Sequence, residues 1–302
     1  MCQNYSESKK TTDVHMTETI KTSLTALCVR MRQAGIVNAA KEARLIIAHV
    51  LKTSYEAVYF HPEQPLTKQQ LYKIATLTER RCQQEPLAKI FGHKEFWGLS
   101  FMVTKDTLDP RPDSESLIEG LLSHFLEKDR PLKILDLGTG SGCLILAALS
   151  EYPNAIGVAV DKSYKALLIA KANAINLHMA NRCHFVCSDW ATALQGTFDV
   201  ILCNPPYIAL DEVLSAETLH DPESALFAEK GGLAEYERLA EDLAKFMTRQ
   251  SQLFLEVGHT QKHLVQRFFE HHGLHLLGTR WDIQGHERCL ILGNFHSFTK
   301  KN

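Results

Sequence analysis

The chain has 302 residues, 45% of them hydrophobic and 23% charged, with a formal net charge of −2. Such a length holds one large domain or two modest ones, and the balance is that of a globular protein able to bury a core. Near-neutral charge counts against a dedicated nucleic-acid binder, whose affinity would rest on phosphate contacts. No apolar run approaches the ~18 residues of a membrane span, and Met1 to Lys10 is polar, without the apolar centre of a signal peptide. The eight cysteines are scattered, several inside apolar runs such as Cys143-Leu-Ile-Leu and Ile-Leu-Cys203. That usage suits buried free thiols in a reducing cytoplasm. Cys183 and Cys187 bracket a strand-like stretch, so no metal site is expected there.

Residues 1–16 form a polar tail, expected to be disordered. From residue 17 to about 90 the spacing predicts a small helical bundle. Ile20, Leu24, Leu27 and Met31 make a first stripe that stops at Gly35, and Ala43, Ile46, Ile47, Val50 and Leu51 make a second. Thr67 and Gln70 have capping-box spacing ahead of a third stripe at Leu71, Ile74 and Leu77. Residues 91–112 change character, and Phe96-Trp97-Gly98-Leu99-Ser100-Phe101 predicts a β-hairpin linker.

Residues 113–302 alternate helix and strand. Strands are expected at Lys133–Leu137, Ile156–Val160, His184–Cys187, Val200–Cys203 and Leu253–Val257. Their apolar runs suit a mainly parallel sheet covered on both faces. An antiparallel pair, Gly273–Trp281 and Arg288–Phe295 around Gly285, closes the pattern.

Asp136-Leu137-Gly138-Thr139-Gly140-Ser141-Gly142 is the end of a strand, a glycine turn and a helix start. Glycines let a ligand approach the backbone, and the helix start offers unpaired N–H donors. The spacing is not that of a dinucleotide loop, and no Lys-Ser/Thr follows as in a phosphate loop. Asp161 ends the next strand, where a carboxylate can hold two ribose hydroxyls. With no basic residue in the loop to meet a phosphate, S-adenosyl-L-methionine fits better than a nucleotide. Its ribose would lie on Asp161, its amino group near Asp136 and its carboxylate near the amides of the Gly138–Gly142 turn. Asp189 would accept from the adenine amino group, and Trp190 would wall the ring.

Phe198–Leu210 runs as an apolar strand into Asn204-Pro205-Pro206-Tyr207. A rigid turn is the plain reading of that tetrapeptide. Residues 86–302, however, resemble the HemK/PrmC family of protein-glutamine N5-methyltransferases. The resemblance is carried in order by PLAKIFGHKEFWGLSFMV, LDPRPDSE, LDLGTGSG, SDW and NPPY. Asn-Pro-Pro-Tyr is shared with methyltransferases of nucleic-acid amino groups, so Pro110-Arg111-Pro112-Asp113-Ser114-Glu115 is the more specific block.

The resemblance implies a class I S-adenosylmethionine-dependent methyltransferase: an α/β, Rossmann-like fold with a mainly parallel seven-stranded sheet, preceded by the helical bundle. It implies methylation of the Gly-Gly-Gln glutamine of class 1 peptide chain release factors in the cytoplasm, releasing S-adenosyl-L-homocysteine, with no nucleic-acid or membrane partner. The bundle at 17–90 would dock the substrate. In this reading Asn204 and Pro205 are catalytic, because the Asn204 side-chain oxygen and the Pro205 carbonyl grip the two amide N–H bonds. Each proline holds its predecessor extended, neither offers an N–H of its own, and Tyr207 walls the amide. Asn204 would also border the cofactor, and Pro206 completes the substrate site.

Asp109 and Ser114 depart from the family pattern, and Ala228-Glu229-Lys230-Gly231-Gly232-Leu233 only approximates its glycine loop. Glu256 matches the family at a strand end, without a role that sequence reveals. Competing readings are glutamine methylation of a ribosomal protein, amino-group methylation of nucleic acid, and an inactive cofactor-binding regulator. The intact Asn204-Pro205 pair disfavours the last.

Overall fold

A computed structural model describes residues 18–294. The expected tail (1–16) and Phe295, the expected end of the last strand, lie outside them. The chain divides into two units, the first ending at Ile90 and the second beginning at Phe91.

In the first unit the helices are Ile20–Gln33, Ala39–Leu51, Tyr55–Phe60 and Lys68–Cys82. Met31, Ile46, Ile47 and Ile74 bury completely or nearly so, and that packing stabilises helices too short to persist alone. The capping box forms: Thr67 Oγ1 accepts from the Gln70 amide at 3.2 Å, and Gln70 Oε1 from the Thr67 amide at 2.8 Å. Arg81 pairs with Glu42, Nε to Oε2 2.5 Å, tying the second helix to the last of these.

The second unit opens with an antiparallel hairpin, His93–Phe96 and Leu99–Met102. Trp97 and Gly98 both take positive φ (52° and 68°), the turn that matches strand twist in a two-residue hairpin. Phe96 and Phe101 sink into the unit's core, so the hairpin is built into it. Asn173 fastens the edge, accepting from the Met102 amide at 2.7 Å and donating to its carbonyl at 3.0 Å.

The main sheet has seven strands: β1 (Lys133–Leu137), β2 (Ile156–Asp161), β3 (Cys183–Cys187), β4 (Phe198–Cys203), β5 (Met247–Glu256), β6 (Leu274–Trp281) and β7 (Glu287–Asn294). Their order is β6-β7-β5-β4-β1-β2-β3. Strands β1 to β5 pair in parallel, while β7 runs antiparallel between β5 and β6. Consecutive apolar residues face opposite layers. Ile134 joins Leu117, Leu121 and Ile145 on one face; Leu135 joins Tyr236, Leu239 and Phe269 on the other. Burial on both faces is why these strands read as unbroken apolar runs. Strand β5 starts at Met247 rather than the expected Leu253. Thr248, Arg249 and Gln250 are exposed where its register with β4 slips, and their polarity hides the strand from a hydrophobic reading. Because β1, β2, β3, β4 and β5 run parallel, their carboxyl ends share one edge, the usual place for a ligand in such sheets.

Candidate active site

At that edge the turn after β1 hooks onto the end of β2, since the amides of Gly138 and Thr139 both donate to the Val160 carbonyl at 2.9 Å. Gly138 has φ +74°, and a β-carbon there would stand 3.5 Å from the Trp190 ring. Glycine thus allows the turn, while the 3.5 Å separation from the indole is an ordinary contact that a β-carbon could make. Asp161 accepts from the Gly140 amide at 2.9 Å and the Ser163 amide at 2.8 Å, while burial raises its pKa. Gly138, Gly140, Asp161, Asp189, Trp190 and Asn204 come together around one cavity, with Pro206 beside them. Thr107, Leu108, Pro222 and Ala225 also line it, as do Lys105 and Lys162, and none of these was anticipated from the sequence.

Asp136, Thr139, Ser141 and Gly142 stand outside that lining. Thr139 Oγ1 donates to Asp136 Oδ2 at 2.6 Å, and Gly142 caps the helix Cys143–Glu151 without a side-chain bond. Asp136 is fully buried, and burial pushes its pKa up to about 7 against the Thr139 bond. Its Oδ1 and the Ser141 hydroxyl have no hydrogen-bond partner among the described residues. An unpartnered buried carboxylate oxygen is costly. A cationic amino group would supply the missing donor, and the uncapped amides of the helix start would take a carboxylate. S-adenosylmethionine carries both groups, so the residues present fit it. Trp190 Nε1 donates to Glu235 at 2.6 Å, and Asp189 is paired with Arg238 at 2.6 Å.

A second cavity adjoins Asn204 on the side of Tyr207, Arg111, Asp113 and Glu256. Pro205 is buried and borders neither cavity. Asn204 Nδ2 donates to Ser114 Oγ at 3.1 Å, and Ser114 donates to Glu256 Oε2 at 2.5 Å. Tyr207 donates to Glu256 Oε1 at 3.1 Å. With Nδ2 engaged, the Asn204 oxygen is the atom left for an incoming donor. Burial raises the pKa of Glu256 to about 6, opposed by Ser114, Arg288 and Tyr207. Burial also raises that of Tyr207, whose hydroxyl stays protonated.

The block at 110–115 thus acts as a clasp. Arg111 pairs with Asp221 at 2.6 Å, Asp113 with Arg288 at 3.4 Å, and Ser114 joins Asn204 to Glu256. The unusual Asp109 stands 4.0 Å from Lys94 of the hairpin. The sequence hid the part played by Glu256, although one signal was present: a glutamate inside Leu255-Glu256-Val257 has no place in a core unless it is hydrogen-bonded.

Strand order, glycine turn and acidic strand ends together define a class I S-adenosylmethionine-dependent methyltransferase. Residues 111–231 match the family model "Methyltransferase small domain", and residues 23–92 match the PrmC N-terminal domain. The chain is 37% identical over 278 residues to the release factor glutamine methyltransferase of Agrobacterium fabrum, covering 90% of this chain and 96% of that protein. It is 37% identical over 265 residues to that of Rhodospirillum rubrum, covering 87% and 81%. The chain belongs to the release factor glutamine methyltransferase family. The hMettl16 catalytic domain shares the fold, with a TM-score of 0.53 at 16% identity over 76% of this chain and 83% of that one. Among the described residues no helix is long and apolar enough to cross a membrane.

Proposed function

We propose that this protein transfers a methyl group from S-adenosylmethionine to the side-chain amide nitrogen of the Gly-Gly-Gln glutamine in class 1 peptide chain release factors, in the cytoplasm. The observation that carries the reading is the place of Asn204, which borders both the cofactor cavity and the cavity beside Tyr207. A group held at Asn204 from the second cavity faces a donor held in the first.

A primary amide nitrogen is a weak nucleophile because its lone pair is delocalised into the carbonyl. Catalysis must therefore come from positioning and electrostatics. The cofactor supplies an electrophilic methyl on a sulfonium. Asn204 Oδ1 accepts one amide N–H and Tyr207 flanks the amide plane, while the Pro205 carbonyl, expected to accept the other, belongs to a residue buried outside both cavities. The S–C bond lost would balance the N–C bond gained, and the cofactor would be left as a thioether. The methylated nitrogen then loses a proton to water, so no general base is needed before attack.

The test is to incubate the protein with isotopically labelled S-adenosylmethionine and a purified release factor, then map the label. Label on the Gly-Gly-Gln glutamine, lost in Asn204→Ala, is the expected result. Label on a ribosomal protein, on RNA or on DNA, with the release factor unlabelled, overturns the reading.

A further inference from the structure

Cys203 of β4 and Leu255 of β5 are register partners, so the residues that follow them, Asn204 and Glu256, stand side by side at the carboxyl edge of the sheet. Ser114 bridges the pair, and Tyr207 reaches the second carboxylate oxygen. Glu256 is 1% exposed. The direction of each hydrogen bond in this chain is dictated by chemistry. An ionised carboxylate only accepts, so both hydroxyls must donate to it. Ser114 has then spent its one proton and can offer Asn204 only lone pairs. The Asn204 amide must turn its Nδ2 toward Ser114, which leaves Oδ1 for the acceptor cavity.

We infer that Glu256, acting through Ser114, is a positioning residue that fixes which way the Asn204 amide faces and so makes the acceptor site complementary to N–H donors. This rests on the proposed reaction, in which the incoming amide must donate. In the protonated state Glu256 carries a donor. It can then donate to Ser114, Ser114 can donate to Asn204 Oδ1, and the amide turns its own N–H bonds toward the substrate. Like donors would then face each other.

The groups that bear on Glu256 come from every element around it. Arg288 approaches from β7 and Asp113 from the Pro112–Ser114 turn, Tyr207 follows β4, and the Tyr236 hydroxyl donates to the Glu256 main-chain carbonyl at 3.0 Å. Burial raises the carboxyl to about 6, so the productive orientation holds above that pH and is lost below it.

The full-length protein and its Ser114→Ala, Ser114→Thr and Glu256→Gln variants would be compared in three readouts. Calorimetry should find cofactor affinity within roughly twofold of wild type in all of them, because the change lies outside the cofactor's contacts. On release factor, kcat should fall about tenfold or more for Ser114→Ala and Glu256→Gln, and be largely kept in Ser114→Thr, which retains the hydroxyl. The decline of kcat below about pH 6 should vanish in Glu256→Gln. In ¹⁵N spectra the Asn204 side-chain NH2 signal, assigned by its loss in Asn204→Ala, should move in Ser114→Ala and in Glu256→Gln and return in Ser114→Thr. That signal needs no substrate, so it judges the relay even if release factor is not methylated. An unmoved signal in Ser114→Ala overturns the inference, as does a Thr variant as impaired as Ala. Glu256→Gln could disturb the fold, but the serine variants leave the carboxylate in place.

Discussion

The α-carbon of Gly232 lies against the main-chain carbonyl of Tyr207, so closely that a methyl group there would overlap the carbonyl oxygen. Gly232 has φ +84°, and Gln261 Nε2 donates to the same carbonyl at 2.9 Å. The glycine and the glutamine together hold the backbone that carries the Tyr207 ring. Gly232→Ala is therefore expected to push this segment away. The melting temperature should drop by several degrees, from roughly 1–3 kcal/mol of strain, and kcat should fall while cofactor affinity changes little. Differential scanning fluorimetry and steady-state kinetics check this. A variant with wild-type kcat would show that Tyr207 is not held from behind.

Asp161 tests the cofactor reading. Its oxygens already accept from Gly140 and Ser163, which aims the remaining lone pairs into the cavity. Asp161→Ala removes charge-assisted acceptors worth ~1.5–3 kcal/mol each and should weaken S-adenosylmethionine binding about tenfold or more. Isothermal titration on the folded variant is the measurement, and unchanged affinity would remove Asp161 from the site.

Asp136 makes an opposite pair of demands. Its carboxyl rises from the usual 3.8 to about 7 because it is buried, so the folded protein holds its proton more tightly than the unfolded chain does. Between about pH 4 and pH 7 the folded state then binds the extra proton, and stability falls as pH rises through that window. Asp136→Asn abolishes the titration. In the absence of cofactor the variant should be the more stable protein above pH 7, with its advantage shrinking as pH falls toward 4. Its affinity for S-adenosylmethionine should drop, since it no longer offers the cofactor's amino group a charge. Thermal melts across that range decide the first half, and titration calorimetry decides the second.

The helical unit bears on the substrate. A Gly-Gly-Gln tip buries far less than the ~1,200–2,000 Å² of a stable protein interface, so a second contact with the release factor is needed. Deleting residues 1–84 is expected to leave cofactor binding intact and to lower kcat/KM sharply on intact release factor. On an isolated Gly-Gly-Gln peptide both forms should be equally poor. Undiminished methylation of release factor by the truncated protein would show that these helices do not dock it.

The sequence by itself determined the sheet and the edge at which the glycine turn and Asp161 meet. Ile134-Leu135, Ile201-Leu202 and Leu253-Phe254 are apolar on both sides of the chain, and only a strand covered by helices on two faces buries them all. Glycines at 138, 140 and 142 and acids at 136 and 161 are local features whose chemistry follows from their strand ends. The capping box at Thr67 and the Trp97-Gly98 turn were equally legible, because neighbours in sequence form them.

Only the tertiary structure decided the rest. Ser114 lies 90 residues from Asn204 and 142 from Glu256, and no periodicity links residues that meet only because β4 and β5 end in register. Gly232 reads as loose loop until the Tyr207 carbonyl is found against it. Thr139 and Ser141, which a motif reading assigns to the cofactor, do not line the cavity: Thr139 donates to Asp136, and the Ser141 hydroxyl is buried without a partner among the described residues. Local chemistry shows what a segment can offer. The register of strands and the burial of a carboxylate decide which offers are taken up.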